Sequence, residues 1–591
     1  MLRPQSNPFR QRIDLSGFWD FRLDPEGEGE EGGWFEGFSD GCPIAVPASW
    51  NDQFEDWRDY LGPAWYQTCF DLPWRWEQKR VHVRFGSVNY LAQVWLNGVR
   101  LGQHEGGHLP FAFDVTRQVR REGNVLVVRV EGELAPDRVP PGDVPANPLD
   151  TFAGTNYPPA SFDFFPFCGI HRPVLLYATP QGGIADLTVV TEIERGDSLV
   201  RVRLECAGED ASVARFALRG HGADVTQERP VSGSTVEVAL MVPDAALWAP
   251  HSPHLYSLTV ELARGGATSS YEGKHTHDPF DRYVLPIGIR TVSVEGDALL
   301  LNDQPVMLKG FGRHEDFPVT GRGLVPAVVV KDYALMRWVG ANSFRTTHYP
   351  YSDPMMELAD RLGFLVIDET PAVGLFFQEE GLERRLALCR QYTQEMIDRD
   401  KNHPSVIMWS LANEPHSTRP AAKPFFRELY ELAKSLDPTR PVTVVSCIGT
   451  EEEAFEFCDV VCLNRYFGWY TQAGQLEQAC ALLSAELDAL HARFPKPLLL
   501  TEFGADTIAG WHAQPPEMFS EEYQVEMLTR YIELLNSKPY VVGQHVWNMC
   551  DFKTAQAVRR VGGMNLKGVF TRDRRPKLAA HRLRELWNLQ E

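Results

Sequence analysis

The sequence predicts a multidomain chain of β plus α/β class: a jelly-roll β-sandwich, an immunoglobulin-like β-sandwich and a C-terminal (β/α)8 TIM barrel. Three observations predict it. A length of 591 residues exceeds what one hydrophobic core supports. The first half alternates apolar and polar residues with period two between turn signals. After about Pro286, apolar strands alternate with helical stretches. A hydrophobic content of 43% with 23% charged residues is that of an ordinary globular chain, which argues against wholesale disorder.

Residues 1–179 carry short alternating runs such as Val81–Phe85, Ala92–Leu96 and Val125–Val130. The Asn97-Gly98 pair after the second run is the strongest short-range hairpin signal, because both residues tolerate positive φ, and the unit reads as a jelly-roll sandwich. Residues 180–286 repeat the pattern in Ser198–Leu204, Thr235–Leu240 and Leu255–Val260. Roughly 100 residues with evenly spaced strands suggest an immunoglobulin-like sandwich without its disulfide, in a structural role.

Residues 287–591 hold eight apolar strands, at Val306–Gly310, Asn342–Thr346, Phe364–Asp368, Val406–Asn413, Val442–Ser446, Val460–Asn464, Leu498–Glu502 and Val541–Trp547. Helical patterns such as Asp332–Val339, Glu383–Arg399, Phe425–Leu436 and Glu521–Leu535 separate them. Such a repeat closes into a barrel whose active site lies at the strand C-termini.

Those termini concentrate the reactive residues. Strand 1 runs into Arg313-His314-Glu315, strand 2 into Arg345 and His348, strand 4 into Asn413-Glu414, strand 6 into Asn464 and Tyr466, strand 7 into Glu502, and strand 8 into Trp547. Strands 4 and 7 lie three apart on an eight-strand ring, so Glu414 and Glu502 face each other across the mouth. Two opposed carboxyls, one acid/base and one nucleophile or second base, are what glycosidic-bond cleavage requires. Asp368-Glu369 and Asp551 compete for these roles, and a helix-capping turn is the bland reading of Asn413-Glu414-Pro415.

His314 and His348 are placed to hydrogen-bond hydroxyls or orient a carboxylate. With Glu315 they lack the fixed spacing of a metal site, and Cys458 and Cys462 have no second pair to complete one, so no metal is expected. Aromatic rings cluster in Tyr466-Phe467-Gly468-Trp469-Tyr470, suited to stacking on a sugar or to packing a loop. A basic run from Arg559 to Arg584 faces only Asp573 as a negative counterpart. From Arg574 to Arg584 it reads as a solvated face of the last helix. Before that, Asn565 and Lys567 sit in a glycine-rich loop after strand 8, able to grip a carboxylate by charge-assisted hydrogen bonds.

The net charge of -21 argues against nucleic-acid or anionic-membrane partners. No apolar stretch of bilayer-spanning length and no leader-like N-terminus occur, so a cytoplasmic location is expected.

The blocks Gly310–Asp316, Arg345–Pro350, Asp400–Val406, Asn413-Glu414-Pro415, Leu463–Tyr470 and Thr501–Gly504, with Asp163-Phe164-Phe165 in the first domain, resemble the signature segments of β-glucuronidases in glycoside hydrolase family 2. The resemblance runs over nearly the whole chain. It implies that Glu414 is the acid/base, Glu502 the nucleophile and Asn413 a partner of the sugar 2-hydroxyl. It implies further that Asp163, Asn464, Tyr466, Tyr470, Trp547 and Arg560 line the sugar site, and that Asn565 and Lys567, as an Asn-x-Lys motif, bind the glucuronate carboxylate. A homo-oligomer needing no cofactor is implied too.

Two departures stand out. Met564 is an extra residue before Asn565, and Ala372–Gln378 is short where some gut bacterial relatives carry a long loop, which implies a more open mouth. The expected chemistry is retaining and exo-acting, with carboxyls roughly 5 to 5.5 Å apart and Glu414 held protonated by the charge of Glu502. The alternatives are a β-galacturonidase and a carbohydrate-binding protein on an inactive barrel.

Overall fold

A computed structural model describes residues 2–144, 156–194, 196–208, 210–264 and 278–588. In the first sandwich a four-stranded sheet, in the order Gln11–Asp14, Val174–Thr179, Arg80–Phe85, Phe111–Asp114, packs on a six-stranded sheet. Alternate residues point inward, so Trp19, Phe21, Tyr66, Val83, Phe85 and Val128 form one core. The Asn97-Gly98 turn joins Leu91–Leu96 to Val99–Glu105, with φ of 54° and 79°, the two positive values a tight hairpin turn requires.

The second sandwich pairs a three-stranded with a four-stranded sheet. Seven strands, inward alternation as in Thr235–Val242, and a free Cys206 make it the immunoglobulin-like unit without a disulfide. It is keyed to the barrel by Arg290, which donates to Pro404 O and Val406 O, and by Asn402, which bonds Leu187 O and Val189 N.

A small three-stranded sheet, Val292–Glu295, Ala298–Leu301 and Gln304–Pro305, precedes the barrel. The eight barrel strands are β1 (Leu308–Arg313), β2 (Ser343–Thr346), β3 (Leu365–Glu369), β4 (Val406–Asn413), β5 (Val442–Ser446), β6 (Val461–Asn464), β7 (Leu498–Glu502) and β8 (Val541–Val546), closed in that order. Every residue of β4 and β7 is buried, because parallel strands are covered on both faces. Each such Val or Leu contributes about 1.5–3 kcal/mol.

The helices of the barrel region are α1 (Pro326–Trp338), α2 (Asp353–Leu362), α3 (Leu382–Asp400), α4 (Ala422–Leu436), α5 (Leu476–Arg493), α6 (Glu521–Asn536) and α7 (Leu578–Asn588). Among the described residues no helix is long and apolar enough to cross a membrane.

The expectation of a solvated basic face from Arg574 to Arg584 is overturned at its start. Arg574 is buried against Asp332 of α1, with Nε 2.9 Å from the carboxylate, and Lys577 is buried against Asp551 at 2.8 Å. Both precede α7, and they lock the chain's last turn to the barrel. Only the later residues Arg582 and Arg584 ride on the helix; Arg582 pairs with Glu585. Arg574→Ala is expected to cost about 3 kcal/mol, because Asp332 then relies on Arg313 alone. Denaturant unfolding would measure this.

Candidate active site

Strand geometry brings the predicted acids together. Glu502 closes β7 and is buried; its Oε1 lies 2.5 Å from Arg345 on β2, and its Oε2 accepts from the Tyr466 hydroxyl at 2.6 Å. Glu414 follows β4 in the left-handed region, φ 45°, a conformation a non-glycine residue holds only where its surroundings impose it. Its amide donates to Val445 O, and its Oε1 accepts from Asn464 Nδ2 at 2.8 Å. Asn464 Nδ2 also reaches Asn413 Oδ1, at 3.1 Å, and Arg345 approaches the same oxygen at 3.3 Å. One hydrogen-bonded chain therefore runs between the two acids.

The competing carboxylates drop out by their partners. Glu369 is fully buried and spent on Arg345, His348 and Ser410. Asp368 turns away to Thr346 and Asp400, and Asp551 is held by Lys577. Glu369 instead serves as counter-charge: it fixes Arg345, and Arg345 fixes Glu502. His348 bonds Glu369 through Nδ1 at 2.8 Å, places Nε2 3.6 Å from Glu502, and stacks on Trp547 with ring centroids 5.1 Å apart. Burial holds its pKa below the ordinary histidine value, so the ring is neutral and oriented by its carboxylate partner. His314 bonds the Tyr349 hydroxyl, and Glu315 is taken by Arg172 and the Ser352 amide. Among the described residues no group of three or more histidine, cysteine or carboxylate side chains is arranged to hold a metal ion.

Beside the acids lies a charged corner built from two domains. Asp163, from the first sandwich, accepts from Arg560 Nε at 2.7 Å, from Arg560 NH2 at 2.5 Å and from Asn565 Nδ2 at 2.7 Å. Arg560 NH2 and Lys567 Nζ both reach the Tyr470 hydroxyl, at 3.1 and 2.9 Å. Lys567 is wholly enclosed, with its ammonium over the rings of Tyr466, Trp469 and Tyr470. Its ion partner is Asp506, which also accepts from the Leu566 amide at 2.8 Å and lies 3.6 Å from Arg560. Asp506 was not among the sequence candidates. Its signal was slight: a second acid four residues beyond Glu502, whose partners come some 60 residues later.

Three family models cover most of the chain. Residues 292–590 match the TIM barrel domain of glycosyl hydrolases family 2, residues 13–180 its sugar binding domain, and residues 183–276 the model described as glycosyl hydrolases family 2. A β-glucuronidase of Paenibacillus borealis is 41% identical over 608 residues, spanning 99% of this chain and 98% of that protein. The chain belongs to glycoside hydrolase family 2.

Solved β-glucuronidase structures superpose on it closely. The β-glucuronidase of an uncultured Clostridium sp. does so with a TM-score of 0.91 at 40% identity over all of both chains. The Ruminococcus gnavus β-glucuronidase in complex with D-glucuronic acid gives 0.90 at 38% identity over 99% of each.

For a family 2 hydrolase the protonation of the two acids is decisive. Burial raises both; at Glu502 Arg345 pulls against it and the neighbouring Glu414 adds to it. Glu414 is raised mainly by burial, and Asp163 is the charge that adds to it. Burial therefore does the work that the sequence reading had given to the charge of Glu502. Since both acids share the buried setting, their donors decide which holds the proton. Glu502 receives a guanidinium and a phenol, whereas Glu414 receives one neutral amide, so the proton rests on Glu414 and the charge on Glu502.

Tyr466→Phe tests this. The phenol donates to ionised Glu502 and lowers its pKa; without it that pKa rises, and the acid limb of the kcat/KM profile moves to higher pH by about 1. The alkaline limb is expected to stay in place, because the phenol's hydrogen bond goes to Glu502.

Proposed function

We propose that this family 2 glycoside hydrolase is a retaining exo-β-glucuronidase, releasing glucuronic acid from β-D-glucuronides. The observation that carries the reading is the corner formed by Arg560, Asn565 and Lys567 beside the two acids, where a guanidinium, an amide and an ammonium are gathered around Asp163 and the Tyr470 hydroxyl, the set of donors that grips a carboxylate by charge-assisted hydrogen bonds. The two cations already rest on Asp163 and Asp506, and a sugar carboxylate, unlike a neutral sugar, would bring them a third acceptor of negative charge.

In the first step a carboxylate oxygen of Glu502 attacks the anomeric carbon from the face opposite the aglycone. The C1–O bond breaks, and Glu414 gives its proton to the departing oxygen. In the second step Glu414 takes a proton from water, the water oxygen attacks C1, and the ester to Glu502 breaks. Asn413 hydrogen-bonds the 2-hydroxyl, Trp547 and His348 wall the sugar, and Asp163 meets hydroxyls on its far edge.

Two measurements test the reading together. Initial rates on aryl β-glucuronide, β-galacturonide and β-galactoside should favour the first. A preference for galacturonide, which differs only at the 4-hydroxyl, would replace glucuronide by that alternative; a preference for galactoside would sink the carboxylate role. Proton NMR of the first-formed product should show the β anomer, and an initial α anomer would overturn retention. By family likeness the protein is a homo-oligomer, which light scattering would check. The exposed free thiol of Cys69 fits a reducing compartment, so the cytoplasm is the proposed location.

A further inference from the structure

The hairpin that carries the charged corner does not stand on the barrel alone. Phe552–Lys553 pairs antiparallel with Met564–Asn565, and Arg560 lies in the turn between them. The first sandwich grips this hairpin along its length. Tyr157 and Gln556 exchange backbone hydrogen bonds of 3.0 and 2.7 Å, Phe165 N donates to Lys553 O at 2.9 Å, and the Lys553 ammonium lies over Phe165 and Phe167.

Two carboxylates close its ends. Asp52, on the short helix Trp50–Gln53 of the first sandwich, takes Lys553 Nζ on one oxygen and Arg572 NH2 on the other, each at 2.6 Å. Asp316, beyond β1, takes the Lys553 amide at 2.6 Å and the Arg572 guanidinium at 2.8 and 2.5 Å. Lys553 enters the recognition segment and Arg572 leaves it, so one carboxylate from another domain fastens both ends. The four side chains are largely shielded from solvent, which makes these charge-assisted bonds strong and their geometry strict.

We propose that Asp52 is a positioning residue for recognition of the sugar carboxylate, setting the angle of the hairpin and hence the places of Asn565 and Arg560. The proposal rests on the reading of Asn565 and Lys567 as the carboxylate grip. Lys567 has anchors of its own, through its backbone carbonyl to the Asn548 amide and through Asp506, so Asp52 acts first on Asn565 and Arg560 and on the lysine only through its amide bond to Asn565 and the shared Tyr470 hydroxyl. Glu414 and Glu502 hang on β4 and β7 and are not reached by the clamp. Its loss therefore weakens selection for the uronic acid most, and reaches the neutral part of the sugar site only through Asp163, which Arg560 and Asn565 hold.

The test compares inhibition by a uronic iminosugar with inhibition by its neutral hydroxymethyl counterpart, in the full-length protein and in Asp52→Asn, Lys553→Met and Lys567→Ala. Lys553→Met keeps the alkyl chain on Phe165 and Phe167 while removing the amine, so it reads the same clamp if Asp52→Asn yields no folded protein. Asp52→Asn and Lys553→Met are each expected to lower the uronic-to-neutral affinity ratio about 10-fold, with the neutral inhibitor weakened far less than the uronic one. A ratio that stays constant in both, or equal losses for both inhibitors, would overturn the role of Asp52. If Lys567→Ala also leaves the ratio constant, the carboxylate reading itself fails; if only Lys567→Ala lowers it, that reading stands and the clamp does not.

Discussion

Glu502→Ala is expected to lose hydrolysis of aryl β-glucuronide by at least about 10⁴-fold, roughly 5 kcal/mol of barrier, and to regain turnover in azide with an α-glucuronosyl azide as product. Azide fits the space of the missing carboxylate and attacks C1 from the face opposite the aglycone, so one inversion takes the β substrate to an α product. Glu414→Ala is expected to give the opposite anomer. With a good phenolate leaving group, Glu502 still forms the ester, and azide then attacks from the face that water would use, giving the β-azide by two inversions. Product NMR thus assigns both roles in one pair of variants. Each variant should fold: Arg345 keeps Glu369 at 2.7 Å when Glu502 is gone, and Asn464 keeps Asn413 and Thr501 when Glu414 is gone. The same anomer from both variants would remove the distinction between nucleophile and acid/base.

How far the site was legible from sequence follows from how far apart its partners lie. Glu414, Glu502 and Asn464 could be placed because fully buried parallel strands read as continuous apolar runs, and the residue closing each run must sit at the barrel mouth. The helices were less readable. α1 begins at Pro326, six residues before the expected Asp332, because proline is well suited to the first helical position and its φ is already helical. α2 and α5 follow from the strand–helix repeat, but neither range stood out in the sequence. Charge partners were harder still. Arg574 reads as a surface cation because its neighbours in sequence are basic, yet its carboxylate lies 242 positions earlier. Asp506 and Lys567 are 61 apart, and only folding shows that the lysine expected to await a ligand already holds a counter-ion.

That counter-ion gives the second large effect its particular form. Lys567→Ala should lower kcat/KM on β-glucuronide by about 30- to 5,000-fold, the cost of about 2 to 5 kcal/mol for removing one partner of a desolvated charged pair. The loss belongs toward the upper end, because the variant exposes Asp506 to the incoming carboxylate: two negative groups then share a corner with only Arg560, 3.6 Å from Asp506, to separate them. β-Galactoside, which brings no charge, meets no such repulsion, and its slow hydrolysis should change little. Combining Lys567→Ala with Asp506→Asn removes the repelling charge and should restore part of the glucuronide activity, although each substitution alone lowers it. Such non-additivity is the signature of two residues acting on one ligand charge through each other. Equal losses on glucuronide and galactoside in Lys567→Ala, or a double variant no better than the single, would mean that the lysine supports the fold of the loop rather than the carboxylate of the sugar.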